Sequence, residues 1–227
     1  APSTWSCNDL RESGVPNVHL WQRGIDSVKF HPQNRDIELR TALLGMRPDR
    51  KIVGYVGRLA NEKRIDDLTT LDSRDDVQLV IIGEGPAKNR LKNVLPNAIF
   101  VGYKSGEDLA KYYASLDLFI HTGKHETFCQ SIQEALASGV PVIAPNSGGP
   151  LDLVKHGWTG YLIDTSDSQE LNHAVNLVLR SPELLTMSKR ARESVIHRTW
   201  EGVNSQLIGH YSELIGAKAN RSGELVA

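Results

Sequence analysis

From residue 51 onward, short apolar runs alternate with longer amphipathic stretches. Residues 51–57, 77–83, 98–102, 118–120, 141–144 and 160–163 are nearly continuous in Val, Ile, Leu, Phe and Tyr. Runs of this kind mark parallel strands covered on both faces. Helical periodicity fills the gaps at about 63–72, 86–95, 107–115, 127–138 and 150–155. The alternation predicts an α/β fold, a Rossmann-like doubly wound parallel sheet with helices on both faces. Ligands of such a sheet gather at the carboxyl ends of its strands. After residue 167 the pattern becomes wholly helical. It predicts helices over 168–179, from Pro182 to about His197, and over 200–215, the last with a stripe of Val203, Leu207, Tyr211 and Leu214. Residues 1–50 show no complete unit, and 217–227 read as a short polar tail.

Composition narrows the classes of function. A net charge of −1 over 227 residues gives nucleic-acid binding no bulk electrostatic support. No apolar run approaches the ~20 residues of a membrane span. The two cysteines, Cys7 and Cys129, lack metal-ligand spacing and fit a reducing compartment. The eight histidines are scattered, and no Asp-x-Asp triplet offers a carboxylate site for a metal–nucleotide complex. The first residue is Ala1, which suggests a cut or processed product.

The chemistry concentrates in His125-Glu126-Thr127-Phe128-Cys129-Gln130-Ser131-Ile132-Gln133-Glu134, which runs from a strand end into an apolar helix. On one helix, Glu126 and Glu134 would stand ~12 Å apart along the axis. They cannot share a proton, but they could touch two ends of an elongated ligand. The free amides of residues 127–130 between them would favour an anion. Gly57-Arg58-Leu59-Ala60-Asn61-Glu62-Lys63 follows the first strand, and its two cations suit a diphosphate as well as they suit solvent. Gly83-Glu84-Gly85 starts like a dinucleotide fingerprint, but Lys88 stands where the third glycine belongs. Gly83 and Tyr103 lie at strand ends where a flat base could rest, and Gly148-Gly149 precede a helix. The Lys88, Arg90 and Lys92 cluster reads as a solvated face, with contact to an anionic membrane as the lesser alternative.

In their joint order and spacing these motifs resemble the C-terminal half of a retaining glycosyltransferase of the two-domain GT-B fold. The family includes bacterial lipid mannosyltransferases and sucrose synthase. The resemblance covers about residues 20–215 and also rests on Arg23-Gly24-Ile25-Asp26 and on Glu134-Ala135-Leu136-Ala137-Ser138-Gly139-Val140-Pro141-Val142. The chain is most similar to actinobacterial GDP-mannose-dependent α-mannosyltransferases that build cell-envelope glycolipids and lipomannan. The resemblance implies catalytic roles for Glu126 on the donor sugar and for Arg58 and Lys63 on the diphosphate. It implies donor binding by Gly57, Gly83, Tyr103, Phe128, Cys129, Gln130 and Glu134, with Glu134 on the ribose. No metal and no cofactor are expected, only the donor GDP-mannose. The lipid acceptor would bind a missing N-terminal domain, which residues 1–30 and the helix at 199–216 would join to the donor domain at 31–198. A cytoplasmic place, against the inner face of the plasma membrane, goes with this. Residue 64 is Arg where the family often has glycine. The isolated chain is expected to bind donor but turn over poorly. The alternatives are a nucleotide-sugar 2-epimerase on a similar scaffold and a non-catalytic nucleotide-binding module.

Overall fold

A computed structural model describes the backbone of residues 1–223 and the side chains of residues 1–215. Six strands form one parallel sheet: β1 (Lys51–Val56), β2 (Val77–Ile82), β3 (Ile99–Gly102), β4 (Leu118–Ile120), β5 (Val142–Pro145) and β6 (Gly160–Ile163). Their spatial order is β3-β2-β1-β4-β5-β6. The doubly wound sheet expected from the apolar runs is therefore present.

Side-chain alternation explains why both faces are apolar. Ile52 and Val56 of β1 and Phe119 of β4 enter one core, whereas Val53 and Tyr55 of β1 and Leu118 and Ile120 of β4 enter the other. The first core is closed by α2 (Ile37–Leu44), α5 (Gly106–Ala114) and α6 (Gln130–Ala137) through Leu43, Tyr113, Ile132 and Leu136. The second is closed by α3 (Thr69–Asp72), α4 (Lys88–Val94) and α7 (Ser168–Leu179) through Leu71, Leu91 and Val175. The helix α8 (Leu184–Glu193) reaches both, with Ala191 on one side and Met187 on the other.

Several helices depart from their periodicity. The stretch 63–72 is broken into 3-10 turns at Asn61–Lys63 and Ile65–Leu68 before α3, because Arg64 between them has φ 53° and ψ 37°. The segment expected at 150–155 is a 3-10 turn at Gly149–Asp152. The helix expected from residue 127 begins at Gln130, since Cys129 has φ 76° and cannot continue a right-handed turn backwards.

Residues 1–50 hold two helices that the apolar pattern did not predict. In α1 (Thr4–Glu12) the Ser3 hydroxyl accepts from the Ser6 amide, and the Thr4 amide donates to Asp152 Oδ2 at 2.6 Å. In α2 the Asp36 carboxylate accepts from the Leu39 amide and Gly45 closes the end. The last helix, α9 (Trp200–Gly223), starts against the connector: Trp21 Nε1 donates to Val203 O at 3.1 Å. Of its expected stripe Val203 is buried, but Tyr211 and Leu214 are exposed. The expected tail is helical through Gly223, and 224–227 lie outside the described residues.

Asp117 pins α2 to the sheet. It accepts from Arg35 at 2.9 Å, from Arg40 at 3.1 Å and from the Ile52 amide at 2.8 Å. Burial opposes its charge, yet these donors outweigh burial and hold its pKa below the usual carboxylate range. A lowered folded pKa means that the contribution is present at neutral pH and lost as pH falls through that value. Asp117→Ala is expected to cost about 3 kcal/mol, because two guanidiniums and an amide lose their partner. Urea unfolding at pH 7 measures this, and a loss under ~1 kcal/mol would contradict it.

Candidate active site

The sheet reverses its direction of winding between β1 and β4, and the crevice of such a sheet opens at that point. The loop after β1 carries Gly57, Arg58 and Lys63, and the loop after β4 carries His121 and Glu126. Thr122 Oγ1 donates to Lys63 O at 2.6 Å and ties the two loops together. The strand ladder runs on past the strands themselves: Gly57 N donates to Ile82 O and Gly83 N to Gly102 O. This leaves no room for side chains, since a Cβ on Gly83 would lie 1.9 Å from Gly57 O.

Two adjoining cavities share Val56, Gly57 and Arg58. One, of about 520 Å3, is further lined by Gly83, Tyr103, Lys29 and Glu134. The other, of about 330 Å3, is lined by Lys63, His121, Glu126, Cys129, Gln130 and Ser131. The expected site residues thus fall into two groups about a shared waist at Arg58. Arg58 is itself exposed and paired with Glu62 at 3.6 Å. Phe128 lines neither cavity. Its ring is in the core, and its backbone packs so closely on Gly149 that a Cβ there would lie 2.4 Å from Phe128 Cα. Arg64 also lines neither cavity and pairs with Asp67 at 3.0 Å. The two glutamates do not share a helix. Glu126 is in the loop, four residues before α6 begins, and Glu134 is inside α6.

Glu126 is the hub of the smaller cavity. Lys63 Nζ donates to its Oε1 at 2.5 Å, and His121 Nε2 lies 3.0 Å from the same oxygen. Burial raises the Glu126 pKa, but the hydrogen bonds from His121 and Lys63 outweigh it and hold the group below its ordinary value. Burial likewise lowers the His121 pKa; the facing Cys129 sulfur and Glu126 carboxylate reverse this and bring it up to about 9. A carboxylate therefore stands between two cations at neutral pH, with Arg58 beyond them. At the floor α6 starts; Ile132 N donates to Cys129 O, and the amides of Gln130 and Ser131 precede the first intrahelical bond. The cavity carries an excess of positive charge and free donors, which suits an anion.

Glu134, in the larger cavity, accepts from Tyr113 Oη at 2.9 Å. Its burial raises the pKa to about 7, more than the Tyr113 hydrogen bond lowers it. A raised folded pKa favours the protonated form, so its contribution is full below the unfolded value and is lost as pH rises through about 7. Glu134→Gln keeps an acceptor for Tyr113 and removes the charge. The variant is expected to match the parent near pH 4 and to melt a few degrees higher at pH 8. Calorimetric melting at both values checks this, and an equal difference at both would contradict it.

His121 and Tyr113 were not singled out from the sequence. His121 is the first residue beyond β4, where a parallel sheet presents its ligands, and that position was the available sign. Tyr113 is wholly buried on α5 and reads only as core. The Lys88 cluster is largely neutralised: Lys88 pairs with Glu84 at 2.5 Å and Arg90 pairs with Asp66. Among the described residues no helix is long and apolar enough to cross a membrane.

A family profile described as glycosyl transferases group 1 matches residues 38–194. A GDP-mannose-dependent alpha-mannosyltransferase of Corynebacterium glutamicum is 47% identical over 216 residues, covering 95% of this chain and 52% of that protein. One of the same name from Mycolicibacterium smegmatis is 47% identical over 224 residues, covering 98% of this chain and 58% of that protein. The chain therefore spans little more than half the length of these relatives. Among solved structures, a sucrose-phosphate synthase from Thermosynechococcus elongatus superposes with a TM-score of 0.82 at 28% identity, over 96% of this chain and 58% of that one.

Proposed function

The chain belongs to the glycosyl transferases group 1 family, and from that we propose that it is the donor-binding half of a retaining transferase moving mannose from GDP-mannose to a cell-envelope glycolipid. The observation that carries this is the pair of cavities joined at Arg58, one cationic and one bordered by glycine backbone and a carboxylate. The diphosphate would lie at the waist against Arg58, Lys63 and the amides at the start of α6. The sugar would extend toward Glu126. The nucleoside would fill the larger cavity, with its ribose on Glu134 and its base between Gly83 and Tyr103, which is exposed at the rim.

The chemistry follows from charge. As the glycosidic bond breaks, its electron pair passes to a phosphate oxygen and the leaving diphosphate becomes more negative. Cations and amides already fixed at that place favour the transition state over the bound donor. Lys63 is held ready on Glu126. A donor phosphate that draws Lys63 away frees Glu126 to accept from sugar hydroxyls. The steps proposed use the chain's own cations and amides and name no metal or cofactor. An epimerase would need an acid and a base near C2. The carboxylates of the smaller cavity, Glu62 and Glu126, are both paired with cations.

The acceptor, the cytoplasmic location and any contact with the inner membrane face belong to this proposal on the family resemblance alone. The exposed Tyr211 and Leu214 of α9 are the apolar surface we assign to the N-terminal domain. Calorimetric titration of the chain with GDP, UDP and ADP tests the nucleotide. GDP is expected to bind tightest, with Arg58→Ala weakening it, and preferential UDP binding would defeat the choice of GDP-mannose.

A further inference from the structure

The smaller cavity contains a second pattern that sugar transfer does not use. One ring nitrogen of His121, a carboxylate oxygen of Glu126 and the sulfur of Cys129 lie within 4.8 Å of one another. All three come from the one connection between β4 and α6, His121 at its start and Cys129 at its end. His121 is 3% exposed, and its Nδ1 has no hydrogen-bond partner. Cys129 holds a positive φ that is uncommon for a side-chain-bearing residue, and its sulfur faces His121 and lies 3.3 Å from the Ser131 hydroxyl. The strained backbone presents the thiol on the cavity wall.

We propose that His121, Glu126 and Cys129 form an inhibitory Zn2+ site whose filling displaces Lys63 from Glu126. Imidazole, thiolate and carboxylate are the three ligand types Zn2+ takes, at bonds of about 2.0–2.3 Å. Ligands of a tetrahedral ion at those bond lengths stand roughly 3.3–3.8 Å apart, so the His121–Glu126 pair at 3.0 Å opens slightly and a pair at the 4.8 Å limit would close by up to about 1 Å through side-chain rotation. A water from the open cavity completes the four. Binding releases two protons to solvent, one from the Cys129 thiol and one from the ligating nitrogen of the His121 imidazolium. The ion takes the Glu126 oxygen on which the Lys63 ammonium now sits at 2.5 Å, and repulsion between a divalent cation and an ammonium at that distance drives Lys63 away. It also fills the space assigned above to the donor phosphate. The ion is thus an antagonist of the site and not a cofactor of the reaction.

Co2+ reports the site directly, because a thiolate ligand gives a charge-transfer band in the near ultraviolet. The 227-residue chain is expected to bind one equivalent with that band, and Zn2+ is expected to abolish it by competition. Cys129→Gly suits the positive φ, so the variant folds, and it is expected to lose the band and at least roughly 100-fold in Zn2+ affinity, beyond the loss of an outer-shell partner. Cys7→Ser, which removes the other thiol, is expected to keep both. Zinc-saturated chain is expected to bind GDP at least roughly tenfold more weakly. The proposal is overturned by absence of one-equivalent binding, by a Cys129→Gly chain that retains the band or the affinity, or by loss of the band in Cys7→Ser. Full GDP affinity with zinc bound overturns the displacement of Lys63. The cobalt measurement involves no nucleotide, so its failure is distinct from a failure of the donor assignment.

Discussion

On the function proposed above, replacing Lys63 by alanine is expected to lower kcat/KM for mannosyl transfer about 10³-fold, the range seen when one donor to a developing oxyanion is removed. Two effects add. The leaving diphosphate loses a cation held over its path, and Glu126 loses the shorter of its two charge-assisted partners. Because charge on the diphosphate grows as the bond breaks, the loss should fall more on kcat than on GDP affinity of the isolated chain. Lys63→Arg keeps the charge but replaces a point cation by a planar fork and should recover only part of the rate. A kcat/KM within roughly threefold of the parent would remove Lys63 from the mechanism. Loss of GDP binding without any effect on turnover would instead favour a nucleotide-binding module.

The sheet was legible because its strands are buried on both faces, and continuous apolar runs have few other uses. The carboxyl-end motifs were legible for a related reason. Gly57, Gly83 and the cations after β1 occupy places where backbone must approach closely or charge must face a crevice. Helix starts were less legible. The apolar spacing of Ile132, Ala135 and Leu136 extends readily back to residue 127, and only the backbone at Cys129 stops it. The packing of Gly149 on Phe128 that holds this loop joins residues far apart in sequence, and no local rule reveals it. In residues 1–50 the reverse holds. Asp36 before Ile37-Glu38 and Gly45 after Leu44 were sufficient helix boundaries, but the amphipathic signal of α2 is too slight to draw attention to them. His121 escaped because a lone histidine reads as ordinary core until Glu126, Lys63 and Cys129 are seen around it.

Gly83→Ala should be the most damaging of the small substitutions at the crevice, costing about 3 kcal/mol or more in stability. Its φ of +142° is one that an L residue rarely adopts, and its Cβ would stand 1.9 Å from Gly57 O and 3.0 Å from Gly57 C. Those are backbone atoms of the neighbouring strand end, so no side chain can swing aside. The sheet must open between β1 and β2 at the edge that carries Arg58. Melting should fall by roughly 6–12 °C for a chain of this size. GDP binding should weaken at a temperature where the variant is still folded. Gly14→Ala separates the two causes. Gly14 has φ +83° but nothing within 4 Å of a Cβ, so it reports backbone strain without collision and should cost about 1 kcal/mol, with GDP binding unchanged. If both variants melt together, strain alone accounts for Gly83 and the contact with Gly57 O does not set the crevice. If Gly83→Ala melts far lower but binds GDP as before, the contact holds the sheet without shaping the site. Only the combined loss connects the glycine, through the strand end, to the place where the diphosphate would rest.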